Sequence, residues 1–219
     1  MSRLALNEIF FSIQGEGSRA GLPCLFVRLH GCGLRCSWCD TPYALEHGGS
    51  GSELVSIEEV LARVSSYGCS FVEVTGGEPL EQEACLPLLA ALCDEGYTVA
   101  VETGGHVDIA QVDSRVVIIM DLKAPGSGME KKNRLRNLDY IKPSDELKFV
   151  LADRADYEWA RDLIRARRLD TITKHLLLAP VFNTLDPRTL AEWILADHLP
   201  VRLGLQLHKI IWPADMRGV

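Results

Sequence analysis

The sequence between residues 71 and 79 reads FVEVTGGEP, and this stretch decides the fold. Its first five residues are mainly β-branched or aromatic and predict a short strand, which two glycines end abruptly. Glycine at a strand end permits positive φ and a close approach of the backbone to a ligand. A helix pattern follows over residues 81–95. The stretch therefore predicts one βα unit with a ligand-binding turn between strand and helix.

Strand and helix patterns alternate on both sides of this unit. Ser56 and Glu59 have the spacing of a capping box, and Asp186 before Pro187 marks another helix start. Alternation predicts an α/β fold with a mostly parallel sheet, open or curled toward a barrel, and an active site at the strands' C-terminal ends. We expect one domain over residues 1–219. The other strands are predicted at 24–29, 98–102, 116–120, 147–151, 175–179 and 202–207, and the other helices at 57–67, 153–168 and 187–197.

Composition limits the class of partner. The chain has 219 residues, 47% of them hydrophobic, so it can bury a full core. Its formal net charge of -7 disfavours a nucleic-acid-binding surface, which needs clustered basic residues. Neither a signal peptide nor a membrane-spanning run is visible. We therefore expect a cytoplasmic protein that acts on a small molecule, without nucleic acid or membrane as a direct partner.

One stretch, residues 125–143, is locally basic. It contains Lys131, Lys132, Arg134 and Arg136 and reads as a long loop. A solvated charged loop is the default interpretation of such a stretch, so the sequence predicts no role for it.

Three of the seven cysteines, Cys32, Cys36 and Cys39, follow the first predicted strand. Disulfides are rare in cytoplasmic proteins, so metal binding is the leading interpretation. Three thiolates can hold an iron-sulfur cluster and leave one iron open to another ligand. The alternatives are three unrelated thiols, or zinc with His30 or His47 as fourth ligand, although no second ligand pair is visible. The cysteines in apolar patterns are predicted to be core residues: Cys24, Cys69, Cys85 and Cys93.

The CxxxCxxC spacing and the GGEP turn together resemble the radical S-adenosylmethionine superfamily. There, the open iron chelates the methionine moiety and the turn presents backbone carbonyls to its amino group. Further motifs are similar to the 7-carboxy-7-deazaguanine synthase family, and they cover nearly the whole chain. The resemblance implies a modified or partial (β/α)6 barrel with a cluster loop at residues 31–40. These motifs are NEIFFSIQGEG at 7–17, CDT at 39–41, VET at 101–103, DLK at 121–123, DELK at 145–148 and LHK at 207–209.

That family resemblance implies a reaction. It is the conversion of 6-carboxy-5,6,7,8-tetrahydropterin to 7-carboxy-7-deazaguanine with ring contraction and loss of ammonia, a carbon-nitrogen lyase step that supplies queuosine. The implied cofactors are a 4Fe-4S cluster, S-adenosylmethionine and Mg²⁺, and the implied partners are a flavodoxin- or ferredoxin-type electron donor and a second copy in a homodimer. A radical activase that installs a glycyl radical on a partner protein is the nearest alternative. A non-catalytic zinc-binding module is a more distant one.

The resemblance also implies roles for individual residues. A C-terminal segment, about residues 207–219, is expected to close over the substrate. From chemistry alone, Arg28 could clamp a carboxylate or form a surface ion pair, Lys123 could be a surface charge, and Thr41 an ordinary turn residue. The sequence departs from the family pattern at residues 103–105 and 179–182. At these positions the backbone, rather than side chains, is expected to contact the cofactor. The implied substrate contacts are Ile13, Gln14, Gly15, Arg28, Thr75, His208 and Pro213; those to S-adenosylmethionine are Trp38, Cys39, Asp40, Gly77, Asp121 and Lys123; Thr41 is implied to hold Mg²⁺.

Overall fold

The computed structural model describes residues 3–46 and 51–219. Its strands form a single nine-stranded sheet in the order β3-β1-β2-β4-β5-β6-β7-β8-β9. β1 is antiparallel to β2 and β3, and all the other neighbours are parallel. The strands are β1 Leu4–Ile13, β2 Pro23–Leu29, β3 Glu53–Val55, β4 Phe71–Gly76, β5 Thr98–Thr103, β6 Val117–Asp121, β7 Glu146–Leu151, β8 His175–Pro180 and β9 Arg202–Leu203.

The predicted α/β fold with a mostly parallel sheet is confirmed. The sheet is open, with β3 and β9 as its edges. His47, one candidate zinc ligand, lies outside the described residues, as do residues 48–50. No helix among the described residues is long and apolar enough to cross a membrane.

All four predicted helices are present, with the predicted caps. The Ser56 side chain accepts a hydrogen bond from the Glu59 amide, and the Asp186 side chain accepts one from Arg188. A fifth, short helix follows β9 and was not predicted. The helices are α1 Ile57–Ser65, α2 Cys85–Asp94, α3 Arg154–Arg167, α4 Pro187–Ala196 and α5 His208–Ile211.

Two predicted boundaries were wrong by four residues, and the others differ from the structure by at most two. The helix expected from residue 81 begins at Cys85. The side chain of Gln82 forms hydrogen bonds with the backbone of Ala5 and of His30, and these bonds hold Gln82 outside the helix. The last strand ends at Leu203 rather than at residue 207, because the chain then leaves the sheet and the Leu207 amide donates to the Gly15 carbonyl. Side-chain and backbone partners far away in sequence set both boundaries.

The period-two alternation along each strand gives the sheet two different faces. One face packs against the helices and is apolar, with Val72 and Val74 of β4 as examples. The opposite face, called here the inner face, carries a small apolar cluster that includes Phe26 and Phe71. Toward the C-terminal strand ends, the inner face becomes polar at Arg28, Glu73, Thr75, Glu102, Asp121 and Lys148.

The four cysteines predicted as core residues are confirmed in that role. Cys24 and Cys85 are fully buried, and burial raises the pKa of both thiols. Cys69 and Cys93 are partly buried and pack against the core. These thiols are therefore not placed to ligate a metal in the cluster loop.

Candidate active site

The cluster loop, residues 31–40, leaves β2 at the C-terminal edge of the parallel sheet. Its start is fixed by backbone hydrogen bonds from Gly31 to the Ala44 carbonyl, 2.7 Å, and from Cys32 to that of Leu45, 3.1 Å. Its middle is fixed by a bond from the Ser37 amide to the Ser127 carbonyl, 3.1 Å. Three thiols therefore project from a loop that is anchored at two points.

The glycine turn after β4 lies directly against this loop. A Cβ atom at Gly77 would stand 2.3 Å from the Gly31 carbonyl oxygen and 2.8 Å from the Cys32 Cβ. The Glu78 amide also donates to the Gly31 carbonyl, 2.7 Å. Glycine is therefore required at position 77 because any side chain would collide with the cluster loop.

The donor set in the loop suits an iron-sulfur cluster better than a zinc ion. Three thiolates on one tetrahedral zinc would lie about 4 Å apart. Across the described residues, which include all seven cysteines, Cys32, Cys36 and Cys39 do not bring their sulfur atoms within 4.8 Å of one another. His30, the remaining zinc candidate, is buried with its Nδ1 3.0 Å from the Asn7 amide nitrogen. The three thiols are therefore not arranged around a single zinc ion, and a 4Fe-4S cluster is a larger group that three cysteine thiolates could hold.

Burial also affects how these thiols would bind iron. It raises the pKa of Cys32 to about 11, and it raises the pKa of Cys36 as well. Metal-free Cys32 and Cys36 are therefore protonated at neutral pH. Binding of the cluster must release these protons, since the ligand is the thiolate.

Two acidic residues tie the cluster loop to the end of β5. Glu78 is fully buried and accepts hydrogen bonds from the Thr103 hydroxyl, 2.9 Å, and the Gly104 amide, 2.8 Å. Burial raises its pKa, and these donors together with His106 oppose that rise. Glu81 accepts from the Gly33 amide, 2.9 Å, and lies 2.8 Å from His106 Nε2. The supporting roles of these residues were not predicted, although Glu78 belongs to the GGEP turn.

Asp121 and Lys123 lie beside the cluster loop and form an ion pair of 2.7 Å. Lys123 is only 17% exposed, which excludes the simple surface charge. Burial opposes its charge, but Asp121 and Cys36 outweigh that effect and raise its pKa. The second carboxylate oxygen of Asp121 is buried and accepts no hydrogen bond from the described residues. An acceptor of this kind is suited to receive a bond from a bound ligand.

A largely buried group of charged and polar side chains occupies the inner face below the cluster loop. Lys148 donates to Glu16, 3.0 Å, and to Glu102, which also accepts from the Thr75 hydroxyl, 3.0 Å. Burial opposes the charge on Lys148, but the two carboxylates outweigh it and hold the lysine's pKa well above its usual value. This group, called the inner polar cluster, consists of Gln14, Glu16, Glu73, Thr75, Glu102 and Lys148.

Gln14 and Thr75, which the sequence predicted as substrate contacts, are both buried members of the inner polar cluster. The Gln14 amide nitrogen donates to Glu73, and its oxygen accepts from the Glu16 amide, 3.0 Å. Burial, and then the charge of Glu102, raises the pKa of Glu73. Glu73, Glu102 and Lys148 were not predicted as site residues. In the sequence, each of the three stands out only as a charged residue inside an otherwise apolar strand.

The C-terminal segment contacts the loop after β1. A Cβ atom at Gly15 would stand 2.3 Å from His208 Nδ1, and burial lowers the pKa of that histidine. Gln206 donates to Glu16, 2.9 Å, and more weakly to Asp40, 3.4 Å. The segment therefore joins the inner polar cluster to the end of the cluster loop.

Comparison with known proteins agrees with this geometry. Residues 26–120 match the Radical SAM superfamily. The 7-carboxy-7-deazaguanine synthase of Chlorobaculum tepidum is 49% identical over 99% of this chain and 97% of that protein, and the enzyme of Koribacter versatilis is 43% identical over 99% and 100%. The chain belongs to the 7-carboxy-7-deazaguanine synthase family. The crystal structure of QueE from Escherichia coli is similar, with a TM-score of 0.75 and 25% identity, over 93% of this chain and 94% of that one.

Family membership makes the chain a radical S-adenosylmethionine enzyme with a 4Fe-4S cluster. It decides against the zinc-binding module and the glycyl-radical activase. Cys32, Cys36 and Cys39 are the thiols that the structure offers to the cluster, and the fit of the donor set agrees with that assignment.

The structure brings most of the predicted site residues together, including Arg28, which lies next to Thr75 on the neighbouring strand, but it leaves Pro213 at the surface. Arg28 is held by Glu8 through its Nε, 2.8 Å, with Glu8 18% exposed and Arg28 14% exposed, so their ion pair is largely buried rather than on the surface. Pro213 lies in an exposed turn closed by the Met216 amide, 2.9 Å. Ile13 ends β1, Trp38 is half-buried in the cluster loop, and the Thr41 hydroxyl stands 3.9 Å from the Cys39 sulfur.

Proposed function

We propose that this chain converts 6-carboxy-5,6,7,8-tetrahydropterin to 7-carboxy-7-deazaguanine and ammonia. The observation that carries the proposal lies at the end of β4. Thr75 belongs to the inner polar cluster, while Gly77, two residues later, packs against Cys32. One strand end therefore joins a polar pocket for a heterocycle to the cluster loop.

When bound, the cluster and S-adenosylmethionine would supply the radical chemistry that acts on C6 of the substrate. The chain's own residues bind and orient the reactants. Cys32, Cys36 and Cys39 hold the cluster. Trp38, Asp40, Gly77, Asp121 and Lys123 surround S-adenosylmethionine, with the unpaired oxygen of Asp121 as acceptor for one of its donors.

The inner polar cluster would hold the pterin ring. Gln14, with the backbone of Ile13 and Gly15, and Thr75 offer donors and acceptors to its polar edge. Arg28 would meet the substrate carboxylate with its terminal nitrogens, because Glu8 engages the guanidinium through Nε and fixes its plane. His208 would close the pocket from the C-terminal segment, and Pro213 would join it when that segment moves inward.

The pairing of residues inside the pocket supports its use for a small polar ligand. Lys148 pairs with both Glu102 and Glu16, so each charged group of this trio has a partner of opposite sign in the pocket wall. A neutral ring with several donors and acceptors can exchange hydrogen bonds with such a wall without leaving an unpaired buried charge. We further propose a cytoplasmic homodimer that receives its electron from a flavodoxin- or ferredoxin-type donor.

The test is direct turnover. The protein reconstituted anaerobically with iron and sulfide is incubated with S-adenosylmethionine, a reductant and 6-carboxytetrahydropterin. We expect 7-carboxy-7-deazaguanine and 5'-deoxyadenosine to appear together, measured by mass spectrometry. Cleavage of S-adenosylmethionine without any deazaguanine would overturn the proposed substrate, while a protein that binds no iron would overturn the proposed chemistry.

Thr41 is proposed to hold Mg²⁺ together with the substrate carboxylate. Mg²⁺ keeps its waters until better oxygen ligands arrive, so a site with one protein oxygen should form fully only when substrate is present. We therefore expect Mg²⁺ and substrate to bind cooperatively, each tightening the other by the same factor. Calorimetric titration of substrate with and without Mg²⁺ measures that factor.

The hydroxyl of Thr41 provides the control for this experiment. Thr41→Val should abolish the Mg²⁺ effect on substrate affinity, whereas Thr41→Ser should keep it because the oxygen remains. Both variants should retain the cluster. A wild-type affinity that does not respond to Mg²⁺ would contradict the site.

A further inference from the structure

Glu73 is a buried acidic side chain of β4 to which the proposed reaction assigns no role. Only 2% of it is exposed, and it lies on the inner face because Val72 and Val74 on either side of it pack against the helices. Thr75, two residues further along the strand, shares that face. Among the described residues, one hydrogen bond reaches the Glu73 carboxyl group, and it comes from the Gln14 amide nitrogen. The one polar partner of Glu73 is therefore a residue proposed to bind the pterin.

The Gln14 side-chain amide is bonded at both of its ends inside the protein. Its oxygen accepts from the Glu16 backbone amide, 3.0 Å, and its nitrogen donates to Glu73. A backbone N–H can only donate, so the atom that faces Glu16 must be the amide oxygen, and the nitrogen must then face Glu73. Glu73 completes this arrangement because it is the acceptor for that nitrogen. The two bonds together select one of the two orientations of the amide.

The surroundings of Glu73 favour its uncharged form. Lys148 forms its ion pairs with Glu16 and Glu102, and the second oxygen of Glu73 receives no hydrogen bond from the described residues. An ionised oxygen that is buried without a donor is costly. Burial and the charge of Glu102 raise the pKa of Glu73 well above its usual value, against the opposing effects of Lys148 and the Gln14 bond. An uncharged carboxyl group still accepts through its carbonyl oxygen, so the bond from Gln14 does not need the charge.

We propose that Glu73 is a positioning residue for the pterin and that, as an uncharged acid, it fixes the Gln14 amide in the orientation that the substrate requires. The inference rests on the proposed function, in which Gln14 contacts the ring. The amide keeps one N–H and one oxygen lone pair that no described residue uses, and these are the groups left for a ligand. Glu73 acts through Gln14 and takes no part in the chemical step.

The remaining groups of the Gln14 amide match one edge of a pterin ring. That edge is a lactam, which presents an N–H donor beside a carbonyl acceptor. The Gln14 oxygen can accept from the ring N–H while the Gln14 nitrogen donates to the ring carbonyl. A flipped amide would set donor against donor and acceptor against acceptor for a ring in the same place. By holding the nitrogen, Glu73 therefore favours the pairing that binds the lactam.

The test measures substrate binding without turnover. The reconstituted protein is titrated calorimetrically with 6-carboxytetrahydropterin in the absence of a reductant. Glu73→Met removes the acceptor but keeps an unbranched side chain, and it should raise the dissociation constant of the substrate about tenfold. The dissociation constant of S-adenosylmethionine should stay within about twofold, because Glu73 acts on Gln14 rather than on the cofactor contacts.

Glu73→Gln is the conservative variant that should rescue binding. Its side-chain oxygen can accept from Gln14 without any charge, so most of the affinity lost in Glu73→Met should return. Circular dichroism checks that both variants fold. If Glu73→Met does not fold, Glu73→Gln still decides, because a loss of substrate affinity of about tenfold in that variant would overturn the uncharged acceptor.

A double-mutant cycle shows whether Glu73 acts through Gln14. In a Gln14→Ala background, Glu73→Met should weaken substrate binding by no more than about twofold further, because no amide is left to orient. An equal effect of Glu73→Met in both backgrounds would overturn the positioning role.

Cys24→Ala is the matched control for packing on the same face. Cys24 is a fully buried member of the small apolar cluster on the inner face, and its truncation leaves the pair of Gln14 and Glu73 intact. Substrate affinity should stay within about twofold of the wild type. A loss as large as that of Glu73→Met would show that any packing change on this face weakens binding, and it would overturn the positioning role.

Failure of the proposed function would look different. A wild-type protein that binds S-adenosylmethionine but not 6-carboxytetrahydropterin would overturn the proposed function and the positioning role together. A wild-type protein that binds the pterin with an affinity that Glu73→Met leaves unchanged would overturn the positioning role alone.

Discussion

Replacing Cys36 with alanine is expected to remove the iron-sulfur cluster and to reduce turnover to background. The loop offers three thiols, and the other four cysteines belong to apolar packing, so no thiol can take the lost position. Two thiolates leave two irons without protein ligands, and the cluster then loses the support that a radical S-adenosylmethionine enzyme needs. Iron and sulfide analysis, visible absorption and the reduced EPR signal measure the loss.

Cys69→Ala and Cys85→Ala are the matched controls for that experiment. Cys85 is fully buried, so its truncation should lower the free energy of unfolding by about 1 kcal/mol, whereas half-buried Cys69 should cost less. Both controls should keep the cluster and full turnover. A Cys36→Ala protein that retained iron and activity would contradict the assignment of the cluster ligands.

The parallel strands β2 and β4 to β8 could be predicted from sequence because each is a short apolar run buried on the helix-covered face. β1 could not, although it pairs with both β2 and β3. Its centre carries Asn7 and Glu8, and the register shifts between Leu6 and Glu8, so the apolar pattern is interrupted. These two polar residues are accommodated in the strand by tertiary partners, because Asn7 bonds to His30 and Glu8 pairs with Arg28.

The candidate site also has one part that could be predicted from sequence and one part that could not. The cluster loop and the glycine turn were predictable because their chemistry depends on residue types at fixed local spacing. The inner polar cluster was only partly predictable, because Lys148 finds Glu102 and Glu16 across 46 and 132 residues of sequence. Gln14 and Thr75 were expected from family resemblance, yet their partners Glu73 and Glu102 depend on which strands become neighbours. Strand order and register are properties of the fold as a whole, and no local pattern specifies them.

The inner polar cluster has one cation among three carboxylates, which makes Lys148 its most sensitive position. Lys148→Met is expected to lower the free energy of unfolding by about 3 to 5 kcal/mol at pH 8, because it leaves Glu16 and Glu102 charged without their buried partner. Turnover should fall as well, since the wall of the proposed substrate pocket is disturbed. Urea unfolding measures the loss, and Lys174→Met, at an exposed lysine, should change the stability by no more than about 0.5 kcal/mol.

The pH dependence of that loss identifies its cause. In the wild type, burial would raise the pKa of Glu16 and Glu102, but Lys148, together with the hydrogen bonds from Gln206 to Glu16 and from Thr75 to Glu102, outweighs burial and both pKa values are lowered. Their contribution to stability is therefore present above the unfolded-state pKa and is lost as the pH falls through the lowered values. Without Lys148, burial dominates and raises both values, so the folded variant binds more protons than the unfolded chain and its stability rises as the pH falls. We expect the difference between wild type and variant to be smaller at pH 5.5 than at pH 8.

A second substitution separates this electrostatic cause from a simple loss of packing. In Lys148→Met/Glu102→Gln, one of the stranded carboxylates becomes a neutral amide that can still accept from the Thr75 hydroxyl. If the unpaired charge causes the destabilisation, the double variant should recover about 1 to 3 kcal/mol relative to Lys148→Met, a coupling typical of residues in direct contact. If the lost lysine side chain matters only through its volume, the two substitutions should add without recovery and the loss should be the same at both pH values. That outcome would show that Lys148 fills space on the inner face, and that its ion pairs with Glu16 and Glu102 contribute nothing to the stability of the pocket.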